Sequence, residues 1–305
     1  MLYFKIFFAI QFILSQFSTF PSARIVSAER WKVADKEIIL LGDLHIFSQN
    51  DSLVKKVIDR SLNVDGTSVL IEFNDEYLGK ESRIEYQLTQ VLVPEATSLL
   101  MNVYYGFKEE PANENRVCYP DPRNSVVQMV LDQAGSEVQL SHLPESKLPL
   151  SEYFRQARKI LSAYHTRAQQ LTYVNEHLQK FIDDLEKILS DIELEMSQKL
   201  EKSISNVVLR SGNGELLKLV QFTKDIADPA FMFDILKILE DSQNDKIIVF
   251  AGKSHINNIS NFIKKLHPVS KKTFSIGVPI DSDYFDNIPD SVKAIDLAGI
   301  LGIPL

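Results

Sequence analysis

The chain predicts an α/β fold: a mainly parallel central sheet flanked by helices, with a long helical insertion. Three observations predict it. Short apolar β-branched runs alternate with stretches of helical spacing, the pattern of strand–helix–strand units in a parallel sheet. Two of these runs, more than 200 residues apart, end alike: Ile38-Ile39-Leu40-Leu41 enters Gly42-Asp43-Leu44-His45, and Ile247-Ile248-Val249-Phe250-Ala251 enters Gly252-Lys253-Ser254-His255. Between Leu150 and Gly212 there is no Pro and no Gly.

The 305 residues suit one large domain or two modest ones. With 45% hydrophobic and 24% charged residues, the composition is that of an ordinary soluble globular protein. A formal charge of −8 and a pI near 5.4 argue against a nucleic-acid partner. One cysteine, Cys118, excludes an intramolecular disulfide and any Cys-rich zinc site. It follows Val117 in an apolar stretch and is expected to be buried and inert.

The N-terminus reads as an export signal over residues 1–28. Lys5 precedes a short apolar stretch, Ile6-Phe7-Phe8-Ala9-Ile10 and Phe12-Ile13-Leu14, then the small-residue sites Pro21-Ser22-Ala23 and Val26-Ser27-Ala28. The second site fits the cleavage rule better, because Pro is unusual at the first of those positions. The apolar run is short for a membrane span, so no stable span is expected after cleavage, and the product would be periplasmic or secreted; the alternatives are an uncleaved anchor or a buried N-terminal helix.

The elements follow in order. Residues 29–149 form the first half of the core. Within it, 37–41 is a strand, and 51–62 is a helix on the spacing of Leu53, Val54, Val57, Ile58 and Leu62. Residues 67–73 are a strand with Glu72 near its end, and 82–100 are helical with a break at Pro94. Residues 113–118 lead a third strand into Tyr119-Pro120-Asp121-Pro122-Arg123, and a helix runs from 124 to 134 with Gly135 as its stop.

Residues 150–210 are the helical insertion. Leu178, Phe181 or Ile182, Leu185, Leu189, Ile192 and Met196 keep a heptad-like spacing. One unbroken helix there would span about 80–90 Å at ~1.5 Å per residue, so a break is expected near residues 169–175. The segment could act as a cap, a lid support or an oligomer arm. Residues 211–305 complete the core: a turn at Gly212-Asn213-Gly214, a helix over 215–242 broken at Pro229, the strand at 246–251, a helix over 257–266, a strand at 273–278 and a short one at 292–295.

A strand's C-terminal end is where ligands bind in open α/β sheets. Each Gly is expected to permit the exit turn, and each His to land in the loop just beyond. If the two strands are neighbours, His45 and His255 converge, with Glu72 on a third strand and Asp43 in support. Two imidazoles and a carboxylate suit a divalent ion such as Zn, Mn or Co and leave positions open for water and substrate. A metal-free version also works physically: one His as general base, with Asp43 or Glu72 as its orienter or acid partner. Arg123 either clamps a substrate carboxylate or oxyanion, or simply pairs with Asp121 to pin a loop between two prolines. Lys253-Ser254 lacks the upstream Gly of a phosphate-binding loop, since position 247 is Ile. No Gly-x-Ser-x-Gly and no His-Glu-x-x-His is present. His142, His165, His177 and His267 have no matching context.

On these residues the chain resembles the Tiki/TraB/ChaN/erythromycin-esterase superfamily. Gly42-Asp43-Leu44-His45 and Gly252-Lys253-Ser254-His255 match its paired motifs, Val69-Leu70-Ile71-Glu72 its strand-borne Glu, and Arg123 an Arg that some members carry. The resemblance implies an α/β core with a helical insertion. Members include metal-dependent proteases, esterases of a macrolide ring and haem-binding lipoproteins. Asp43 stands where two of those branches often have Glu, Lys253 and Ser254 replace small apolar residues, and no lipobox Cys follows the signal. The resemblance implies a hydrolase of peptide or small-molecule ester bonds with His45, Glu72 and His255 on a metal. The alternatives are a haem or metal carrier without turnover, and a scaffold whose helical insertion binds a partner.

Overall fold

The structure, a computed structural model, describes residues 25–43, 66–72, 116–135, 143–171, 175–210, 213–241, 243, 245–266 and 270–277. Residues 1–24 of the expected export signal, the helices expected at 51–62 and 82–100, the strand expected at 292–295, and His45 lie outside them.

The described residues form one mixed sheet flanked by helices. Its strands are β1 (Ile25–Val33), β2 (Lys36–Asp43), β3 (Thr67–Ile71), β4 (Val117–Cys118), β5 (Lys246–Gly252) and β6 (Ser270–Gly277). The spatial order is β4-β3-β5-β2-β1-β6. β5 lies parallel between β2 and β3, and β4 extends the parallel set beyond β3. β1 is antiparallel to both β2 and β6. The two motif strands are therefore neighbours, with Gly42 opposite Ala251 and Asp43 opposite Gly252. Ile247 to Ala251 are buried without exception, which is why the run is apolar throughout rather than alternating.

β1 departs from the sequence reading, which assigns residues up to 28 to the leader. It is an interior strand: Ala28 is buried, opposite Leu41 on one side and Ile276 on the other. A cut after Ala28 would remove the strand's first four residues. A cut after Ala23, the other expected site, would leave it whole.

β1 and β2 join through a tight turn in which Ala34 has φ 54°. That region disfavours any residue with a Cβ. We expect Ala34→Gly to raise the unfolding free energy by about 1 kcal/mol, measured by urea titration.

Gly42 has a different reason to be glycine. A Cβ there would lie 2.2 Å from Ser27 Oγ on β1 and 3.2 Å from Lys253 Cδ. Close approach, not an exit turn, excludes a side chain. Gly42→Ala should cost about 1–3 kcal/mol, the usual range for overpacking. Adding Ser27→Ala should recover most of the loss, and a double variant no more stable than Gly42→Ala would refute this reading. Gly252 has φ −56° and ψ 147°, a conformation open to other residues.

The helices follow the apolar spacing. They are α1 (Ser125–Gly135), α2 (Leu150–Ala168), α3 (Glu176–Glu195), α4 (Ile204–Arg210), α5 (Asn213–Asp225), α6 (Asp228–Glu240) and α7 (Lys253–Lys265). The expected break after 168 is present, and Asn175 caps α3 by accepting from the N–H groups of His177 and Leu178, both at 3.1 Å. Leu178, Ile182, Leu185, Leu189 and Ile192 are buried within the chain, where α3 packs on α2, α5 and α6. Two starts differ from expectation. α5 begins at Asn213, so Gly214 lies in its first turn rather than in a connecting turn. α7 begins at Lys253, four residues early, so His255 belongs to a helical first turn rather than to a loop. Among the described residues, no helix is long and apolar enough to cross a membrane.

Two buried tyrosines tie the helices to one another. The Tyr153 and Thr223 hydroxyls are 2.7 Å apart, joining α2 to α5. Tyr164 donates to the Ile226 carbonyl at 2.6 Å, holding the junction from which α6 starts two residues later.

Candidate functional site

Three parallel strands deliver the site. β3 ends at Ile71, and the next residue, Glu72, keeps its N–H on the Phe250 carbonyl of β5 at 2.8 Å. That bond holds the Glu72 backbone in line with the sheet and turns its carboxylate over the end of β5. Gly252 N–H then donates to Glu72 Oε2 at 2.6 Å. His255 sits one turn further on, in α7, with its ring 6.3 Å from that of Phe231 in α6 and nearly parallel to it.

His255 is held at both ring nitrogens. Nδ1 lies 2.6 Å from Asp228 Oδ1, and Nε2 lies 3.1 Å from Glu72 Oε1. The imidazole is 3% exposed and Asp228 is fully buried. Asp228 stands in the first turn of α6 beside Pro229, where Pro is preorganised for a helix start, and its second oxygen accepts from Asn258 Nδ2 at 2.6 Å.

Arg123 closes the chain of charges. Its Nη2 donates to Glu72 Oε1 at 2.8 Å and to Asp121 Oδ2 at 2.7 Å, while Nε reaches Asp121 Oδ1 at 2.9 Å. Asp121 Oδ1 also accepts the Arg123 N–H at 3.0 Å, a local turn across Pro122. Asn124 then caps α1 by accepting from Val127 N–H at 3.1 Å. The Asp121–Arg123 pair does pin the loop, as one sequence reading holds, and the same guanidinium also binds the strand-borne Glu. The result is an alternating series across the strand ends: Asp121, Arg123, Glu72, His255, Asp228.

The electrostatics follow from that order. Burial alone would lower the His255 pKa, but Glu72 and Asp228 outweigh it and hold the imidazole up at about 10. Burial drives the Asp228 carboxyl upward against the pull of His255 and Asn258. With two carboxylates facing one imidazole, the shared proton belongs on the ring. Arg123 is held firmly protonated: burial works against its charge, and Asp121 and Glu72 more than offset it.

Of the five residues singled out from the sequence, Glu72, Arg123 and His255 meet here. Asp43 ends β2 with its backbone opposite Gly252, and His45 follows two positions later, outside the described residues. Asp228 and Asp121 complete the cluster. Sequence reasoning noted Asp121 only as a loop partner and missed Asp228, for which the helix-start pair Asp228-Pro229 is the available local signal.

His45, Glu72 and His255 are the expected metal ligands; His45 lies outside the described residues, and Glu72 and His255 as they stand fit a divalent ion poorly. A carboxylate on Nδ1 is a common support for a metal-bound imidazole, and Asp228 supplies one. Yet Nε2 is turned to Glu72 Oε1, an oxygen that also accepts from Arg123, and Oε2 holds the Gly252 N–H. A dication there would stand beside a guanidinium. Among the described residues, no group of three His, Cys, Asp or Glu side chains is placed to hold an ion.

Comparison with protein-family models, with curated proteins and with solved structures finds no match to this chain.

Proposed function

We propose that this chain is a hydrolase of peptide or ester bonds, of the Tiki/TraB/erythromycin-esterase type, working by metal-free acid–base chemistry. One observation carries the reading: an imidazole clamped between two buried carboxylates at the C-terminal ends of parallel strands. Perturbed, mutually coupled titratable groups of this kind cluster at functional sites.

In this reading His45 is the general base that takes a proton from the attacking water, and Asp43 orients it. Glu72 and His255 form the acid side: a pair that already shares a proton returns one to the leaving group. Arg123 keeps Glu72 ionised and supplies positive charge near the developing oxyanion. Residues 150–210 are the helical insertion into the α/β core, and their role is to buttress the α5–α6 junction that presents Asp228. We also read the chain as exported. The processed product should then begin at Arg24, checked by intact mass; a start at Glu29 would contradict the position of β1.

The test is a hydrolysis screen with peptide and ester substrates on the full chain, with and without a chelator. Turnover should persist after chelation and fall by roughly 10²–10⁴-fold in Glu72→Gln, His255→Gln and His45→Ala, the usual worth of an acid or base. Activity that vanishes on chelation and returns with added metal would refute the metal-free mechanism.

A further inference from the structure

α7 carries a second side chain that reaches the charge series and that the proposed mechanism does not use. Asn258 stands three positions after His255, so both leave the helix on one face. Asp225 and Asp228 have the same spacing across the α5–α6 junction, one closing α5 and the other opening α6. The two pairs interlock. Asn258 Nδ2 donates to Asp228 Oδ2 at 2.6 Å and to Asp225 Oδ1 at 3.2 Å, while Asp228 Oδ1 lies 2.6 Å from His255 Nδ1. Gln221 Nε2, one turn earlier in α5, donates to the same Asp225 oxygen at 2.8 Å. The direction of the Asn258 amide is forced: reversed, its carbonyl oxygen would meet two carboxylates. Burial pushes the Asp228 carboxyl toward neutrality, and the bonds from His255 and Asn258 oppose that push.

We propose that Asn258 is a positioning residue: by holding Asp228 Oδ2 it sets Oδ1 on Nδ1 of His255, and so fixes the ring whose Nε2 faces Glu72. A carboxylate held at one oxygen can turn about its Cβ–Cγ bond. Held at both, it turns only by breaking a bond to each partner. Asn258 is fixed in its turn, because it donates to carboxylates on two different helices. Supporting hydrogen bonds of this kind are what keep a reactive side chain within a narrow range of geometry. Side-chain size does not account for an amide at this position. Leu and Asp are close to Asn in volume, yet Leu donates nothing, and an ionised Asp would set a third carboxylate beside Asp225 and Asp228. That the fixed ring serves an acid step rests on the hydrolase reading; the placement of the ring does not.

The experiment follows the His255 Nδ1–H resonance of the full chain, labelled with nitrogen-15 at histidine, and its exchange with water at pH 7. The parent should show one slowly exchanging proton. Asn258→Leu and Asn258→Asp should each speed that exchange by about 10–100-fold, the scale of one hydrogen bond to a charged group, while the backbone amides of residues 259–263 keep their protection. Asp225→Ala keeps the donor to Asp228 and removes its second anchor, so it should act in the same direction by a few-fold; this variant carries the test if the Asn258 variants do not fold. With any substrate the hydrolysis screen identifies, the Asn258 variants should lose kcat by a similar factor and leave KM within about twofold. A chain that hydrolyses nothing but shows the exchange changes would sink the hydrolase reading and leave Asn258 as the residue that places the ring. Unchanged Nδ1–H exchange in folded variants, an Asn258→Asp chain that behaves as the parent does, or equal loosening of amides 259–263 would overturn the proposal and make Asn258 a packing residue of α7.

Discussion

Glu72→Ala should lower the unfolding free energy by about 3–5 kcal/mol, the cost of removing one partner from a buried ion pair. The carboxylate stands between a guanidinium and an imidazolium that are both almost fully buried, and it also takes the Gly252 N–H. Its removal leaves two cations facing each other across the space it filled. Arg123 keeps Asp121 and His255 keeps Asp228, so the chain should still fold at low temperature. Glu72→Gln preserves the volume and one acceptor and should cost less, about 1–3 kcal/mol. Urea titrations of the three proteins check this. A loss below about 1 kcal/mol in Glu72→Ala would mean the pairs are solvated, as surface pairs are.

Stability should also fall as pH rises from about 6.5 to about 10, the interval between the ordinary histidine pKa and the value His255 reaches here. The sign follows from linkage: the folded imidazole binds its proton more tightly than the unfolded one. Its contribution is whole below the unfolded pKa and is lost as pH climbs through the folded one. The loss is on the order of a few kcal/mol. Asp228, with its pKa raised by burial, adds a decline of the same sign at lower pH, so the comparison needs a reference protein. His255→Gln provides it: the parent's decline over this interval should disappear in the variant. Ring resonances of His255 should report an imidazolium well above pH 7. A neutral ring at pH 7.5 would remove the basis for the Glu72–His255 acid pair.

Much of this arrangement is legible because its signals are local. Five consecutive β-branched or apolar residues, Ile247 to Ala251, mark a strand buried on both faces, and the same pattern at residues 38–41 marks its neighbour. The Leu178–Met196 spacing identifies the buried stripe of α3 because helical period and burial are two views of one geometry. Glu72 stands out as a carboxylate ending an apolar run. The rest was hidden for physical reasons. Asp228 meets His255 across 27 residues through the packing of α6 on α7, and no local pattern tells which acidic residue will face an imidazole. β1 was masked because Ser27 and Ala28, small enough to suit a leader peptidase, are also small enough for an interior strand under α7. The role of Gly42 depends on Ser27, a contact made only once the β1–β2 hairpin has closed.

The order of the strands sets a timetable for the ribosome. β1 and β2 are adjacent in sequence and can pair as soon as they emerge, but the outer edge of β2 is completed by β5, which is synthesised ~200 residues later; at about 5–20 residues per second the wait is roughly 10–40 s. The far side of β1 waits longer still, for β6. Throughout that interval the nascent hairpin offers two unsatisfied edges and the apolar run Ile38 to Leu41 to any other strand in reach. The most vulnerable form of this molecule is therefore an unfinished one. Any product truncated before residue 246 carries a hairpin whose intended neighbours were never made.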